Sequence, residues 1–545
     1  MKKRLMTLMA LCFAASNLNF ANAQSVDLAT SKAVDLEHFW SLGCGAGRAN
    51  EGLRADWLEQ LEQAHKDCGF RYVRMHGLFH DDMHVCHIQR NGELIYSWQY
   101  IDVLFDRMLD MGVRPFVELG FFPEEIAKKD GKTQFWWKGN VTPEYETFDK
   151  WYDLVKNFTQ HVVDRYGIEE VRSWYFEVWN EPNLYPSFLD GTKSDYFLLY
   201  KKAVTAIKEV DSKLRVGGPS TSNFTADARY EGEVMDHSKS RFYEADIINK
   251  QQWKSPWMED FLAYCAEENL PVDFISTHPY PTDYALDPEA GRSKSATRYI
   301  HSTRDDIQWL NDVLAKSKYP NAEIHLTEWS TSPSSRDAMH DELPPAAFII
   351  KVNLENVGKT HSLMYWTFTD VFEEKGGAEK IFHGGFGMFN LQGIVKPSYH
   401  AYRMLNQLGD KLIYNTDPVC VTRNSANNKV VALAYNYPEE YIQRVPAGNN
   451  AGSYMKSSSK ELDFTLSGLS PRANVIVETL DNEHGNVMQA YRAMGKPHSP
   501  NREQIEELKA AGWNTKKEVL RADDNGTLTV KRTMTPWTCI LMTEM

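Results

Sequence analysis

The sequence predicts an α/β fold, a (β/α)8 TIM barrel with an accessory C-terminal antiparallel β-sandwich. Between about residues 35 and 405, short runs of β-branched and aromatic residues alternate repeatedly with amphipathic helical stretches. After residue 405 the strand-like runs are separated by turn residues instead of helices. The chain has 545 residues, 42% of them hydrophobic, which is enough for one large domain and a smaller one.

The first 23 residues are expected to be a cleavable signal peptide rather than part of the fold. Lys2–Arg4 form a basic start, Leu5–Ala15 is a short apolar run, and Ala21–Ala23 resembles a small-residue cleavage site. The apolar run is about half the length that crosses a bilayer, so we expect cleavage rather than anchoring. The mature protein would then be secreted or periplasmic. Residues 24–34 are expected to supply a strand that can join the sandwich.

Eight strand-then-helix units make up the predicted barrel, residues 35–405. The predicted strands are His38–Leu42, Arg71–Met75, Val113–Leu119, Arg172–Trp179, Leu214–Gly218, Val272–Thr277, Glu323–Thr327 and Ser362–Phe368. The predicted helices are Asp56–Lys66, Ile101–Met111, Tyr145–Tyr166, Tyr196–Val210, Trp257–Glu267, Asp305–Ala315 and Pro345–Val357. The alternative, an open doubly wound sheet, would carry a glycine-rich phosphate turn after its first strand. Gly43–Gly47 is glycine-rich, but no acidic ribose-binding residue stands out after it, which favours the barrel.

Residues 406–545 are predicted to form the β-sandwich. Its predicted strands are Val430–Tyr435, Leu462–Leu466, Asn474–Glu478 and Thr527–Lys531, and one helix is predicted at Arg502–Ala511. No low-complexity linker separates this part from the barrel. The two domains are therefore expected to pack tightly against each other.

Composition excludes several classes of function. The net charge is −14, which argues against nucleic acid as a partner, since a nucleic-acid binder needs a basic surface. No apolar run after the signal is long enough to span a membrane, so no membrane partner is expected. One cluster holds the ligand types that zinc accepts: His76, His80, His84, Cys86 and His87. The cluster follows a strand as a loop and would not converge, so neither a metal nor another cofactor is expected.

Two carboxylates stand where barrel chemistry is expected, at the carboxyl ends of strands four and seven. Glu181 follows the fourth strand and Glu328 ends the seventh. Carboxylates facing each other across a barrel mouth can hydrolyse a glycosidic bond, one as a proton donor and the other as a nucleophile. Glu118 also ends a strand and could touch a substrate, whereas Glu177 is expected to be a structural partner.

The motifs around these carboxylates match a known family. Trp179–Pro182, together with Glu328, resembles the retaining glycosidases of clan A. Six further segments resemble glycoside hydrolase family 39, and they extend from the barrel into the second domain: Arg74–Met83, Asp273–Tyr280, Tyr365–Phe368, Phe382–Gly387, Glu483–Asn486 and Met494–Pro497. The family contains β-xylosidases and α-L-iduronidases.

This resemblance implies roles for individual residues. Glu181 resembles the family's acid/base, and Glu328 resembles its nucleophile. Asn180 resembles the donor to the sugar 2-hydroxyl in clan A, and Trp366 resembles the sugar-stacking platform. The family residues that bind sugar hydroxyls correspond here to Glu373 and Glu374. The implied reaction retains the anomeric configuration through two successive displacements.

Four more residues are expected to support this chemistry. Arg74 would hold the nucleophile ionised through a charge-assisted hydrogen bond, and Tyr280 would orient it. His76 and His278 are candidates for contacts with sugar hydroxyls.

The predicted activity is that of an exo-glycosidase that releases terminal β-D-xylosyl residues from xylo-oligosaccharides or related glycosides. Asn183-Leu184 is closer to the family's xylosidases, and no dense basic group that could neutralise a uronate is found at the strand ends. α-L-Iduronides, other pentosides and galactosides stay open, because the loop Ser222–Trp253 is longer than in the xylosidases that the barrel resembles. A non-catalytic carbohydrate-binding protein is the competing class. A homo-oligomer, with the sandwich closing a neighbour's active site, is conceivable.

Overall fold

The structure is a computed structural model, which describes residues 23–144, 147–226, 228–234, 249–282, 297–372, 374–448 and 453–545. All but the last residue of the expected signal peptide lies outside these ranges, as does Glu373.

Eight parallel strands close into a barrel, so the predicted fold class is confirmed. In chain order the barrel strands, β1 to β8, are Gly43–Arg48, Tyr72–His76, Arg114–Leu119, Tyr175–Val178, Arg215–Ser222, Phe274–His278, Glu323–Trp329 and Ser362–Tyr365. The barrel closes where Tyr365 of β8 pairs with Cys44 of β1. Parallel closure brings the carboxyl ends of all eight strands to one mouth.

One helix follows each strand. The helices α1 to α8 are Ala55–Cys68, Gln99–Asp110, Asp149–Tyr166, Lys193–Val210, Met258–Glu267, Ser302–Lys316, Pro344–Glu355 and Pro397–Asn406. In α1, for example, Trp57, Leu61, Ala64 and Cys68 recur at helical spacing and are buried, which fixes the face that packs on the barrel. The helix ends at Gly69, whose φ of +76° a residue with a side chain rarely adopts.

The first barrel strand lies later than predicted, and the prediction of His38–Leu42 is wrong. Phe39–Ser41 forms a turn of 3₁₀-helix, and the strand is the glycine-rich segment Gly43–Arg48. Glycine is needed there, because a Cβ on Gly45 would lie 2.1 Å from the Trp366 ring. Strand propensity depends on side chains, and the glycines that allow other groups to approach β1 closely have none. The propensity therefore did not identify this strand.

The C-terminal part is a sandwich of two sheets over one apolar core. The seven-stranded sheet runs in the order Val34–Asp35, Lys411–Thr416, Val419–Arg423, Val430–Tyr435, Cys539–Glu544, Asn474–Leu480, Lys516–Arg521. The three-stranded sheet runs Gln24–Asp27, Lys460–Ser467, Leu528–Met534. Both sheets contribute to a common core that includes Val26, Phe464, Val477 and Ile540. The pairing is antiparallel except between Gln24–Asp27 and Lys460–Ser467.

Several further elements lie outside the barrel and sandwich ladders. These are the helices Ile168–Val171, Val487–Ala493 and Arg502–Trp513 and the small ribbons Cys86–Ile88 with Leu94–Tyr96 and Thr133–Gln134 with Gly139–Asn140. Within the described ranges, no helix combines the length and the apolar character that crossing a bilayer requires.

The main hydrophobic core of the barrel extends into the sandwich. The main apolar cluster of the barrel continues into sandwich residues, among them Cys420, Leu433, Leu480 and Trp537. At this interface Arg403 of α8 donates to Glu478 at 2.5 Å, and Lys351 of α7 pairs with Asp417. All six cysteines in the described residues are buried and free: Cys44, Cys68, Cys86, Cys265, Cys420 and Cys539.

Candidate active site

The carboxyl ends of seven barrel strands bring polar side chains together at the mouth. The residues are Arg74 and His76 from β2, Glu118 from β3, Glu177 to Glu181 from β4, Ser220 from β5, His278 and Tyr280 from β6, Thr327 and Glu328 from β7, and Trp366 after β8. All of them are less than a tenth exposed. The electrostatic interactions between them are therefore only weakly screened by solvent.

The two predicted catalytic carboxylates face each other. Oxygen atoms of Glu181 and Glu328, together with a ring nitrogen of His278, lie within 4.8 Å of one another. Retaining glycosidases hold their carboxyl groups about 5–5.5 Å apart, whereas inverting enzymes need about 6.5–9.5 Å to admit a water molecule. The closest approach of the two carboxylates is compatible with the shorter spacing.

Glu328 receives two hydrogen bonds that favour its ionised form. Arg74 Nη1 donates to Glu328 Oε1 at 2.8 Å, and the Tyr280 hydroxyl donates to Oε2 at 3.0 Å. Burial raises the pKa of Glu328 above its ordinary value, while the charge of Arg74 opposes the shift. Burial also raises the pKa of Tyr280, which keeps its hydroxyl a donor.

Arg74 is the central cation of the site. Besides Glu328, its guanidinium contacts Glu177 Oε2 at 2.5 Å, Asn180 Oδ1 at 2.8 Å and Glu118 Oε2 at 3.0 Å. Burial alone would lower the pKa of Arg74, but the three carboxylates more than offset it and raise the pKa. The other oxygen of Glu177 accepts a hydrogen bond from Thr327 at 2.8 Å. Glu177 is therefore fixed in position and holds the Arg74 side chain from below the mouth.

Asn180 is oriented so that its amino group stays available. Its Oδ1 accepts from Arg74, and its Nδ2 is buried without a hydrogen-bond partner among the described residues. A buried donor without a partner costs free energy unless a ligand supplies an acceptor. The amide nitrogen is therefore a candidate donor to a substrate hydroxyl.

Glu181 has a raised pKa that favours its protonated form. Burial raises the pKa of Glu181 to about 7. His278 Nδ1 lies 2.9 Å from Glu181 Oε1, and its Nε2 lies 3.2 Å from Thr327 Oγ1. Burial lowers the pKa of His278 to about 4, which leaves the imidazole neutral. Both ring nitrogens of His278 have protein partners, so its placement suits positioning Glu181 more than binding a sugar hydroxyl directly.

His76 stands on the opposite side of the mouth, against an aromatic wall. Its Nδ1 lies 2.7 Å from Glu118 Oε2, and its Nε2 lies 3.7 Å from Glu328 Oε1. The Trp366 ring is 4.7 Å from the His76 ring, and the Trp366–Thr367 peptide is cis. Phe135 stacks on the other side of the imidazole at 5.9 Å.

Phe135 was not found from the sequence, because it comes from the long loop between β3 and α3 rather than from a strand end.

Of the predicted acidic pair after β8, Glu374 is half-buried and burial raises its pKa, while Glu373 lies outside the described residues. The histidine cluster considered for zinc does not converge in the described residues. His76 is bonded to Glu118, whereas His80 Nδ1 lies 2.8 Å from Asp82.

Comparison with known proteins relates this geometry to a family. The model of "Glycosyl hydrolases family 39" matches residues 25–529. The chain is 36% identical over 485 residues to a β-xylosidase of Caldicellulosiruptor saccharolyticus, covering 89% of this chain and 90% of that protein. It is 33% identical over 496 residues to a β-xylosidase of Geobacillus stearothermophilus, covering 89% and 88%.

Solved structures agree with the sequence comparison. The crystal structure of a monomeric β-xylosidase from Caulobacter crescentus superposes with a TM-score of 0.81 at 30% identity, over 96% of this chain and 99% of that one. The match to human α-L-iduronidase is 25% identical and covers only 31% of this chain. The carboxylate pair at the barrel mouth, the full-length family match and the β-xylosidase relatives lead to one conclusion: the chain belongs to glycosyl hydrolase family 39 and is a glycoside hydrolase.

Proposed function

We propose that the enzyme is a retaining exo-β-D-xylosidase that removes terminal β-D-xylosyl residues from xylo-oligosaccharides or related glycosides. The observation that carries the proposal is the approach of Glu181 and Glu328 to within 4.8 Å. The identity to two β-xylosidases along almost nine-tenths of the chain supports xylose as the sugar.

In the first displacement, Glu328 attacks the anomeric carbon and forms a glycosyl ester. Glu181 gives its proton to the oxygen of the leaving group as the bond to the sugar breaks. Asn180 Nδ2 donates to the 2-hydroxyl, a contact that strengthens in the transition state. Arg74 and Tyr280 hold Glu328 in position for the attack.

In the second displacement, water hydrolyses the ester. Once Glu328 carries the sugar, its negative charge is gone and the pKa of Glu181 falls. Glu181, now ionised, takes a proton from water, whose oxygen attacks the anomeric carbon and releases Glu328. Two inversions give net retention.

The α-L-iduronidase alternative needs a cation to bind the sugar carboxylate. Two basic residues, Arg48 at the end of β1 and Lys396 before α8, are paired with carboxylates instead. Arg48 pairs with Glu51 and Asp82, and Lys396 lies between Asp341 at 2.7 Å and Asp370 at 2.6 Å. These pairings favour a neutral sugar.

A panel of nitrophenyl glycosides tests the proposal. We expect β-D-xylopyranoside to be hydrolysed with the highest kcat/KM, ahead of other pentosides, galactosides and iduronides. Release from the iduronide alone would replace xylose by iduronate, and no hydrolysis of any member would favour a carbohydrate-binding protein. Proton NMR during turnover should show β-xylose before mutarotation produces the α anomer, and α-xylose first would contradict retention.

Two properties of the whole protein belong to the proposal. The basic and apolar pattern of residues 1–23 supports export, so the mature protein recovered from periplasm or medium should begin at Gln24 by N-terminal sequencing. Light scattering tests whether the enzyme forms a homo-oligomer in solution.

A further inference from the structure

Glu118 is a buried carboxylate to which the proposed mechanism gives no role. Its side chain is fully buried at the end of β3, and that of His76 is 3% exposed. Glu118 Oε2 forms an ion pair with Arg74 Nη2 at 3.0 Å and lies 2.7 Å from His76 Nδ1. The Glu118 oxygen that faces the guanidinium acts as the acceptor, so His76 Nδ1 is the donor in the 2.7 Å contact.

The His76 ring has little freedom to turn. Trp366 and Phe135 lie against it at 4.7 and 5.9 Å, and Phe121, Phe188 and Phe372 surround it within 6.4 Å. With Nδ1 tied to Glu118, Nε2 is the ring atom left on the side of Glu328, 3.7 Å from its Oε1. That distance is too long for a hydrogen bond, so Nε2 is available to a ligand atom beside the nucleophile.

We propose that Glu118 is a positioning residue that acts through His76, fixing its ring so that Nε2 binds one hydroxyl of the terminal sugar. The proposal rests on the proposed glycosidase function and adds which residue positions the histidine that recognises this hydroxyl. Asn180 occupies the 2-hydroxyl in the mechanism above, so the hydroxyl at C3 or C4 is the one that His76 would bind. Glu118 does not touch the sugar, since no part of its side chain is exposed.

The test compares Glu118→Gln, His76→Ala and the double variant on an aryl β-xyloside and on its 2-, 3- and 4-deoxy analogues. We expect Glu118→Gln to lower kcat/KM on the parent by about 10- to 100-fold, the usual effect of losing a charge-assisted supporting bond. On one analogue, 3-deoxy or 4-deoxy, this penalty should vanish, because the hydroxyl that His76 binds is already missing. The double variant should be no worse than His76→Ala alone.

A matched control is available at the other end of the barrel. Glu323 makes the same kind of bond to a buried histidine, His325 Nε2, at 2.8 Å, but at the start of β7. Glu323→Gln should therefore leave kcat/KM unchanged on every substrate. This control shows whether the effect of Glu118→Gln depends on the position of the bond at the mouth or follows from losing any buried carboxylate–histidine bond.

Two results would overturn the proposal. An equal penalty on all four substrates, or additive losses in the double variant, would mean that Glu118 acts through Arg74 and Glu328 rather than through His76. The glycoside panel decides the proposed function separately. If wild-type enzyme prefers another sugar, the deoxy series of that sugar is used, and if it hydrolyses none, calorimetric binding of the free sugars gives the same comparison.

Discussion

A single arginine organises the residues that the reaction needs. Arg74 donates to Glu328, the proposed nucleophile, through one nitrogen and fixes the amide of Asn180 through another. It thereby couples the ionisation of the attacking group to the orientation of the hydroxyl donor. Glu181 lacks such a cation at bonding distance among the described residues, and burial leaves its pKa at about 7. Two carboxylates of the same chemical type thus receive opposite tasks.

The nucleophile assignment predicts the outcome of Glu328→Ala. Turnover of an aryl xyloside should fall by at least about 10⁴-fold, because no other group can form the glycosyl ester. Added azide should restore part of the activity by entering the space left by the carboxylate, and the product should be the α-xylosyl azide. A β-xylosyl azide from this variant would show that the nucleophile lies elsewhere.

The acid assignment predicts a dependence on the leaving group. Glu181→Gln should lower kcat/KM on xylobiose by about 10²–10⁴-fold, because the departing alkoxide needs a proton. On a dinitrophenyl xyloside, whose leaving group departs as a stable anion, the first displacement should slow by less than about tenfold. Steady-state and burst kinetics measure both, and equal losses on the two substrates would contradict the assignment.

The raised pKa of Glu181 fixes the sign of the pH dependence. The protonated form is active, so Glu181 should set the alkaline limb of the pH profile. On this limb kcat/KM should be constant below a pH of about 7 and fall as pH rises through that value. A pH profile of kcat/KM for the aryl xyloside measures this limb. In Glu181→Gln it should be absent, and a limb that persists would belong to another group such as His76.

At the scale of the elements, β1 is the barrel strand that the periodicity of the sequence did not predict. Periodicity located β2 to β8, because their apolar and β-branched residues mark buried parallel strands. It missed β1, since Gly45 and Gly47 allow the close approach of the Trp366 and Phe372 rings and contribute little strand propensity. Likewise Glu181 and Glu328 could be read from strand ends. The partnership of Glu118 with His76 depends on register between strands, which one sequence does not display.

Gly45→Ala tests whether β1 is glycine-rich for the sake of Trp366. A Cβ at this position would lie 2.1 Å from the indole, so the ring must move away from the mouth. We expect kcat/KM to fall by about tenfold or more and the stability by about 1–3 kcal/mol. Gly43→Ala, which would meet Met364 and Tyr72 at 3.0 Å instead, should cost stability without changing kcat/KM. Unchanged activity in Gly45→Ala would argue against the role of Trp366 at the mouth.

At the scale of the whole molecule, the sandwich is a structural part of the barrel rather than an appendage. Sandwich residues such as Leu433 and Trp537 belong to the same apolar cluster as the barrel helices. Among the described residues, Gln24–Asp27 pairs with Lys460–Ser467 in the sandwich before the chain enters the barrel. The strands that were not predicted include Lys516–Arg521, an edge strand whose exposed charged residues lack an apolar alternation.

This shared core predicts that the protein unfolds as one cooperative unit, and the Arg403–Glu478 pair tests it. Arg403 lies on α8 and bonds both oxygens of Glu478, at 2.5 and 3.2 Å, with both side chains largely buried. Arg403→Ala leaves the buried Glu478 with only the distant Lys517, at 4.0 Å, as a cation, so the free energy of unfolding should fall by about 2–4 kcal/mol.

Urea unfolding of Arg403→Ala, followed by fluorescence and by loss of activity, should give a single transition shifted equally for both signals. Arg472 makes a comparable bond to Asp524, but both side chains are mostly exposed, and Arg472→Ala should change the free energy by less than about 1 kcal/mol. Neither change should alter KM, because both pairs lie away from the strand ends that hold the carboxylates. If fluorescence shifted while loss of activity did not, the sandwich would be unfolding independently. The continuous core would then not couple the two domains.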